Sequence, residues 1–186
     1  MANIPRSQAK TINLGLFYGM GKNKLQAELG ISKEEADALF RTYHDKVPFV
    51  KMLMESVSRR AQDRGKVRTL LGRLCRFPLW EPNQFGIHKP LPHAEALAEH
   101  GPGIRRAFTY KALNKLIQGS AADMTKKAMV ELYKEGITPH IQVHDELDIS
   151  VSNNADKIKE IMEHAVELEV PNKVDYESGP NWGNIK

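Results

Sequence analysis

HIQVHDELDISV, residues 140–151, alternates apolar and polar side chains on both sides of an acidic pair. Ile141 and Val143 precede the pair, and Leu147, Ile149 and Val151 follow it. A period of two is the pattern of a strand with one buried face, so two short strands are expected to meet at a tight turn around Asp145 and Glu146. Asp is common in turns because its carboxylate bonds nearby backbone, which gives the acidic tip a purely conformational reading. A chemical reading stands beside it: hard carboxylate oxygens on a rigid hairpin suit Mg2+. With helical patterns on either side, the hairpin sets the class as α+β, helix-rich with a small antiparallel sheet.

Upstream, GIRRAFTYKALNKLIQGSAADMTKKAMVELYKEG, residues 103–136, reads as a long helical stretch, broken or bent at Gly119 and ended by Gly136. Ala107, Leu113, Leu116 and Ile117 are placed to face a core. Asn114 and Gln118 stand one turn apart and can both donate and accept hydrogen bonds. Such a pair is either an exposed polar strip or a reader of acceptors in a DNA minor groove. Downstream, NADKIKEIMEHAVELEV, residues 154–170, is expected as an amphipathic helix, and VDYESGPNWGNIK, residues 174–186, as a strand or extended segment.

The first half carries three further helices in the pattern. RSQAKTINLGLFY, residues 6–18, holds two series: Ala9, Ile12 and Leu16 for a core, and Arg6, Lys10, Leu14 and Tyr18 every four residues. Four residues advance a helix by about 400°, so the second series forms one slowly drifting stripe. Asn3 is a cap candidate and Pro5 suits a first turn, while Gly19 and Gly21 end the helix. Cations on an exposed face usually only solvate it, but two of them near a helix N-terminus also match a polyphosphate. Ser32 and Glu35 have capping-box spacing before Ala36, Leu39, Phe40 and Tyr43. Pro48 opens a helix expected to bury Phe49, Met52, Leu53, Val57 and Ala61 and to stop at Gly65. KVRTLLGRLCRF, residues 66–77, reads as a hairpin about Gly72, and the proline-rich residues 78–103 as mostly irregular, with a short helix around HAEALAEH.

At 186 residues, 41% hydrophobic and 27% charged, the composition is that of an ordinary globular domain. Neither a signal-peptide pattern nor an apolar run of membrane-spanning length occurs, and the single cysteine, Cys75, excludes an internal disulfide framework. An intracellular, cytoplasmic setting is the expectation. Net charge is +4, but residues 1–130 carry 22 basic against 11 acidic side chains, and residues 131–186 carry 5 against 12. The basic part points to a polyanion and the acidic part to metal ligands or a solvated face.

Taken together these stretches resemble the C-terminal end of a family A DNA polymerase, the DNA polymerase I family, and most closely its phage-type members. Arg6, Lys10, Tyr18 and Gly19 match motif B, Arg-x3-Lys-x7-Tyr-Gly; QVHDE, residues 142–146, matches motif C. ALNKLIQGSAAD, residues 112–123, is similar to the intervening helix, and GPNWG, residues 179–183, to the closing segment. The resemblance covers nearly the whole chain in the family's order. It implies a partial fingers subdomain over residues 1–95 and the C-terminal part of the palm over residues 96–186.

The implied reaction is primer extension with dNTPs by two-metal nucleotidyl transfer, with Lys10, Asp145 and Glu146 as the catalytic set. Arg6 and Lys10 would clamp the triphosphate, Leu14 would face the sugar and Tyr18 would lie beside the nascent base pair. Asp145 would bind the Mg2+ ions with support from Glu146; His144 would contact the primer terminus, and Asn114 and Gln118 the minor groove. Two residues depart from the family pattern: Leu14 stands where many members carry Phe or Tyr, and Tyr110 where several place Arg. Motif A, an Asp-x-Ser-x-x-Glu type stretch with the other metal-binding Asp, does not occur in this sequence, and neither do thumb or proofreading segments. The chain therefore reads as a piece of an active site, excised or the product of a split gene, whose expected partners are primer–template DNA, dNTPs and a polypeptide or upstream segment carrying motif A and the thumb. No membrane partner is expected, and a phage-encoded chain would act in the host cytoplasm. Two other readings are a non-catalytic remnant that keeps DNA or nucleotide affinity and a basic helical module that binds RNA. Retention of Lys10, Tyr18 and Asp145 together favours a working site.

Overall fold

The computed structural model describes residues 6–84, 86–150 and 154–185. The expected cap Asn3 and first-turn Pro5 lie outside them, as does Val151. The chain divides into two compact units, one formed by residues up to Arg68 with Gly72–Leu116, the other by Thr69–Leu71 with the residues from Ile117 onward.

Four helices lead the first unit: α1 (Arg6–Phe17), α2 (Lys22–Leu29), α3 (Lys33–Lys46) and α4 (Pro48–Arg64). Ile12 and Leu16 of α1 and Leu25 of α2 form a core at 5%, 1% and 0% exposure, with Leu29, Leu39, Phe40 and Tyr43 packed around them. Full burial of such side chains is worth about 1.5–3 kcal/mol each. Helix α2, which the sequence pattern missed, offers only Leu25 and Leu29 as an apolar repeat between Gly21 and Gly30. A Lys22–Asp37 ion pair of 3.0 Å ties it to α3, and this hydrogen bond holds the Asp37 carboxyl below its ordinary range. The capping box forms as expected: the Ser32 N–H donates to the Glu35 carboxylate at 2.9 Å and the Glu35 N–H to Ser32 Oγ at 3.2 Å.

Helix α4 starts at Pro48 and is closed by Gly65 at φ +66°. Its buried residues are Val50, Val57 and Ala61, whereas Phe49, Met52 and Leu53 are 58%, 69% and 37% exposed. Val57 and Ala61 are buried as expected, but Val50 joins them in place of Phe49, Met52 and Leu53, since Val50, Val57 and Ala61 share one helical stripe. β1 (Lys66–Arg68) and β2 (Leu74–Arg76) form the expected hairpin, with Val67 paired to Cys75.

Residues 78–103 are more ordered than their prolines imply. β3 (Leu79–Pro82) is the centre of an antiparallel sheet, flanked by β4 (Leu91–Pro92) and β5 (Ile104–Arg106), and α5 (His93–His100) is the expected short helix. Pro92 lies on an edge strand and Pro82 ends its own, positions where a missing N–H is tolerated. Arg106 ties the unit together. Its Nε donates to the Gln62 carbonyl at 3.0 Å and Nη1 to that of Phe77 at 3.3 Å, while the guanidinium lies 4.4 Å from the Trp80 ring centre. A Cβ on Gly65 would fall 2.8 Å from that guanidinium, so close approach as well as φ requires glycine there.

Pairing of Ile104–Arg106 with β3 removes them from the expected long helix. After a 3-10 turn at Thr109–Lys111, α6 (Ala112–Lys134) runs unbroken through Gly119. One internal glycine costs about 1 kcal/mol, too little to break 23 residues. Gly136, at φ +74°, ends it as expected, with Gly136 N–H donating to the Tyr133 carbonyl and Ile137 N–H to that of Leu132.

In the second unit, β6 (Ile141–Val143) and β7 (Glu146–Asp148) pair antiparallel, and α7 (Ala155–His164) follows. Leu132 and Ala128 of α6 and Ile158 of α7 are buried, and Lys157 pairs with Glu135 at 2.6 Å. Helix α7 stops six residues short of the expected end; Pro171 biases the residue before it away from the helical region. The following segment is held instead by Glu163, which accepts from the Val174 N–H at 3.0 Å, and by the Asn172 amide, which donates to the Met162 carbonyl at 3.5 Å. It forms no strand and ends in a 3-10 turn at Trp182–Asn184. Among the described residues no helix is long and apolar enough to cross a membrane.

Candidate functional site

Helix α1 separates its two series as the spacing requires. Ile12 and Leu16 face the core, while Lys10 and Leu14 are exposed, Leu14 at 47%, and Tyr18 is half-buried against Phe17, ring centres 5.4 Å apart and nearly perpendicular. Arg6 begins the helix. The stripe therefore presents an ammonium, then an aliphatic side chain, then a phenol, in steps of about 6 Å along the axis.

The end of α1 is closed by a Schellman motif. Met20 N–H donates to the Gly15 carbonyl at 2.7 Å and Gly19 N–H to that of Leu16 at 3.1 Å, with Gly19 at φ +84°. Tyr18 is the last residue before the left-handed glycine, so its place follows from these two bonds. The Met20 side chain folds back over Gly15 and reaches the core of Ile12, Leu16 and Leu25.

The acidic hairpin turns one residue earlier than expected. Val143 pairs with Glu146, so His144 and Asp145 form a two-residue loop and Glu146 opens β7. His144 has φ +53°, a conformation that two-residue loops need at their first position for strand twist and that His adopts more readily than most residues. The Gln142 side chain donates to the His144 carbonyl at 2.6 Å and braces the loop. Asp145 and Glu146 are exposed. Asp148, which the sequence reading passed over, shares a hairpin face with Glu146 and has a buried Oδ2 without a hydrogen-bond partner. Its signal was the same period-two alternation, read only for apolar residues.

These oxygens are of the hard type that Mg2+ prefers. No three His, Cys, Asp or Glu side chains come together as a metal-holding group among the described residues. On α6, Asn114 and Gln118 are both exposed, one turn apart, as expected. The structure thus gathers Lys10, Leu14 and Tyr18 on one helix and the turn that closes it, and His144, Asp145 and Glu146 on one hairpin, each described within its own unit.

A sequence model of DNA polymerase family A matches residues 1–184. A Pseudomonas phage M6 protein named DNA-directed DNA polymerase is 34% identical over 99% of this chain and 30% of its own length. DNA polymerase I of Bacillus subtilis strain 168 is 35% identical over 97% of this chain and 20% of its own. Among solved structures, the POL domain of Pol1 from M. smegmatis in complex with DNA primer-template and dNTP matches at a TM-score of 0.67 and 30% identity, over 89% of this chain and 28% of that one. The chain therefore spans a fifth to under a third of the length of these relatives.

Proposed function

The chain belongs to DNA polymerase family A, and from that membership we propose that it supplies the nucleotide-gripping helix and one wall of the metal site of a DNA-directed DNA polymerase. Residues 1–95 are its part of the fingers and residues 96–186 its part of the palm. The observation that supports the reading is the joint presence of the Lys10–Leu14–Tyr18 stripe and the His144–Asp145 hairpin on well-formed elements of a chain whose residues 1–184 match the family.

Arg6 and Lys10 bind the triphosphate, since phosphoryl transfer demands positioning and neutralisation of charge more than covalent help. Leu14 faces the sugar and Tyr18 the nascent base pair. His144 orients the primer terminus, and Asn114 and Gln118 contact the newly made duplex from its minor groove. Asp145, supported by Glu146, would hold Mg2+, which supplies activation of the primer 3′-hydroxyl and neutralisation of the leaving pyrophosphate. Asp145 and Glu146 approach from a single hairpin, so the facing carboxylate comes from a motif A segment on another polypeptide or an upstream part of the same one.

The test mixes the 186-residue chain with the part of the Bacillus subtilis relative that it does not match, primer–template DNA, dNTPs and Mg2+. Extension should appear only in the mixture and should collapse with Asp145→Asn, which keeps shape while removing an anionic ligand, at preserved DNA affinity. Near-normal turnover of Asp145→Asn would place the metals elsewhere.

A further inference from the structure

The end of α1 is packed in a way that its hydrogen-bond pattern does not require. A Cβ built on Gly15 would lie 2.2 Å from Met20 Cε and 3.0 Å from Met20 Sδ. Met54 Sδ sits 3.1 Å from where a Gly19 Cβ would be. Each of the two glycines of the closing turn thus has a methionine thioether where its Cβ would come. We infer that Gly15 is a positioning residue: its bare Cα is the seat of Met20, and the seated Met20 fixes the pose of Tyr18 and with it the choice between matched and mismatched nucleotides. This rests on the polymerase reading, in which Tyr18 lies beside the nascent pair.

The chain of contacts is short. Tyr18 lies between the last helical residue, Phe17, and the left-handed Gly19, so the backbone that carries its side chain is set by the two bonds that close the turn. The N–H that closes the wider loop, on the Gly15 carbonyl at 2.7 Å, belongs to Met20, whose side chain is anchored in the core and on Gly15. A methyl group at position 15 must expel the Met20 terminus from its seat, so the residue whose N–H closes the turn loses the packing of its side chain on Gly15. Methionine suits the seat because an unbranched thioether can lie flat along a backbone. Helix propensity predicts the opposite sign for the same change, since Ala is the better helix former. Lys10 stands more than a turn upstream of Gly15 and is outside this contact set.

The test compares wild type, Gly15→Ala and the double variant Gly15→Ala/Met20→Ala. Amide exchange at Gly19 and Met20 is measured in the full 186-residue chain. Single-turnover incorporation of a matched and a mismatched dNTP is measured in the mixture with the unmatched part of the Bacillus subtilis relative. Gly15→Ala should speed exchange at both amides and lower matched-over-mismatched selectivity on the order of tenfold, while the apparent affinity for the matched dNTP stays near wild type. The double variant should not regain selectivity, because the Met20 side chain that fixes the turn is then gone as well; recovery to the wild-type ratio overturns the inference. Unchanged or slower exchange overturns the inference, and so does faster exchange with unaltered selectivity. A wild-type mixture that extends no primer removes the polymerase reading and the selectivity claim with it, while exchange still judges whether Gly15 seats Met20.

Discussion

Lys10 projects from the exposed side of α1, one turn before the aliphatic Leu14, with the core residues Ile12 and Leu16 turned the other way. If it holds phosphate, Lys10→Ala should remove one charge-assisted contact, about 1.5–3 kcal/mol, from nucleotide use and leave primer–template binding nearly intact. Steady-state kinetics of the assembled polymerase check this; unaltered nucleotide kinetics would remove Lys10 from the site. The stripe was legible because two periodicities can be separated on paper when each has its own residue types. The turn of the hairpin was legible to within one residue, but its second strand stops at Asp148, before the expected Ile149, and Ile141 of the expected buried face is 43% exposed. The turn's position depends on His144 accepting a positive φ and on Gln142 bracing its carbonyl. Neither appears in a pattern of apolar and polar residues. The Gly15–Met20 contact was hidden for a related reason: a missing Cβ is visible in sequence, but the side chain that fills its place is not.

Helix boundaries set by local chemistry were readable, and those set by distant partners were not. The Ser32–Glu35 cap, the Pro48 start and the Gly65 and Gly136 stops all depend on residues within one turn. The start of α6 depends instead on β3, which takes Ile104–Arg106 into a sheet, and the inward face of α4 on which neighbours cover it. The segment after α7 is held by Glu163, whose carboxyl the Val174 N–H keeps below its ordinary range. A carboxyl with a lowered folded-state pKa adds stability that is fully present above its unfolded value, about 4.3, and lost as pH falls through the folded one. Exchange of the Val174 amide should therefore be protected near neutrality and lose that protection on acidification below about pH 4.3. Glu163→Ala should abolish the pH dependence at that amide; persistence of the same profile would mean another group holds the segment.

Across the molecule, 22 of the 27 basic residues precede residue 131, and β6 and β7 pair only with each other among the described residues. On the proposed polymerase reading, a metal site that needs a further carboxylate, combined with the basic residues, predicts a specific behaviour for the chain alone. It should bind DNA weakly, with affinity that falls steeply as salt rises, and should extend no primer. Robust extension by the purified chain, abolished by Asp145→Asn, would mean that its own carboxylates suffice, and Asp148 would be the first to substitute. The Arg106 junction has an optical consequence. Trp80, half-buried with a guanidinium 4.4 Å and the His93 ring 4.6 Å from its centre, belongs to one unit, whereas Trp182, 58% exposed, belongs to the other. The chain has two tryptophans in all. Its intrinsic fluorescence is therefore a two-channel record: in a urea titration of Trp182→Phe, the emission should shift to the red as the first unit opens, while in Trp80→Phe it should be water-relaxed from the outset and barely move.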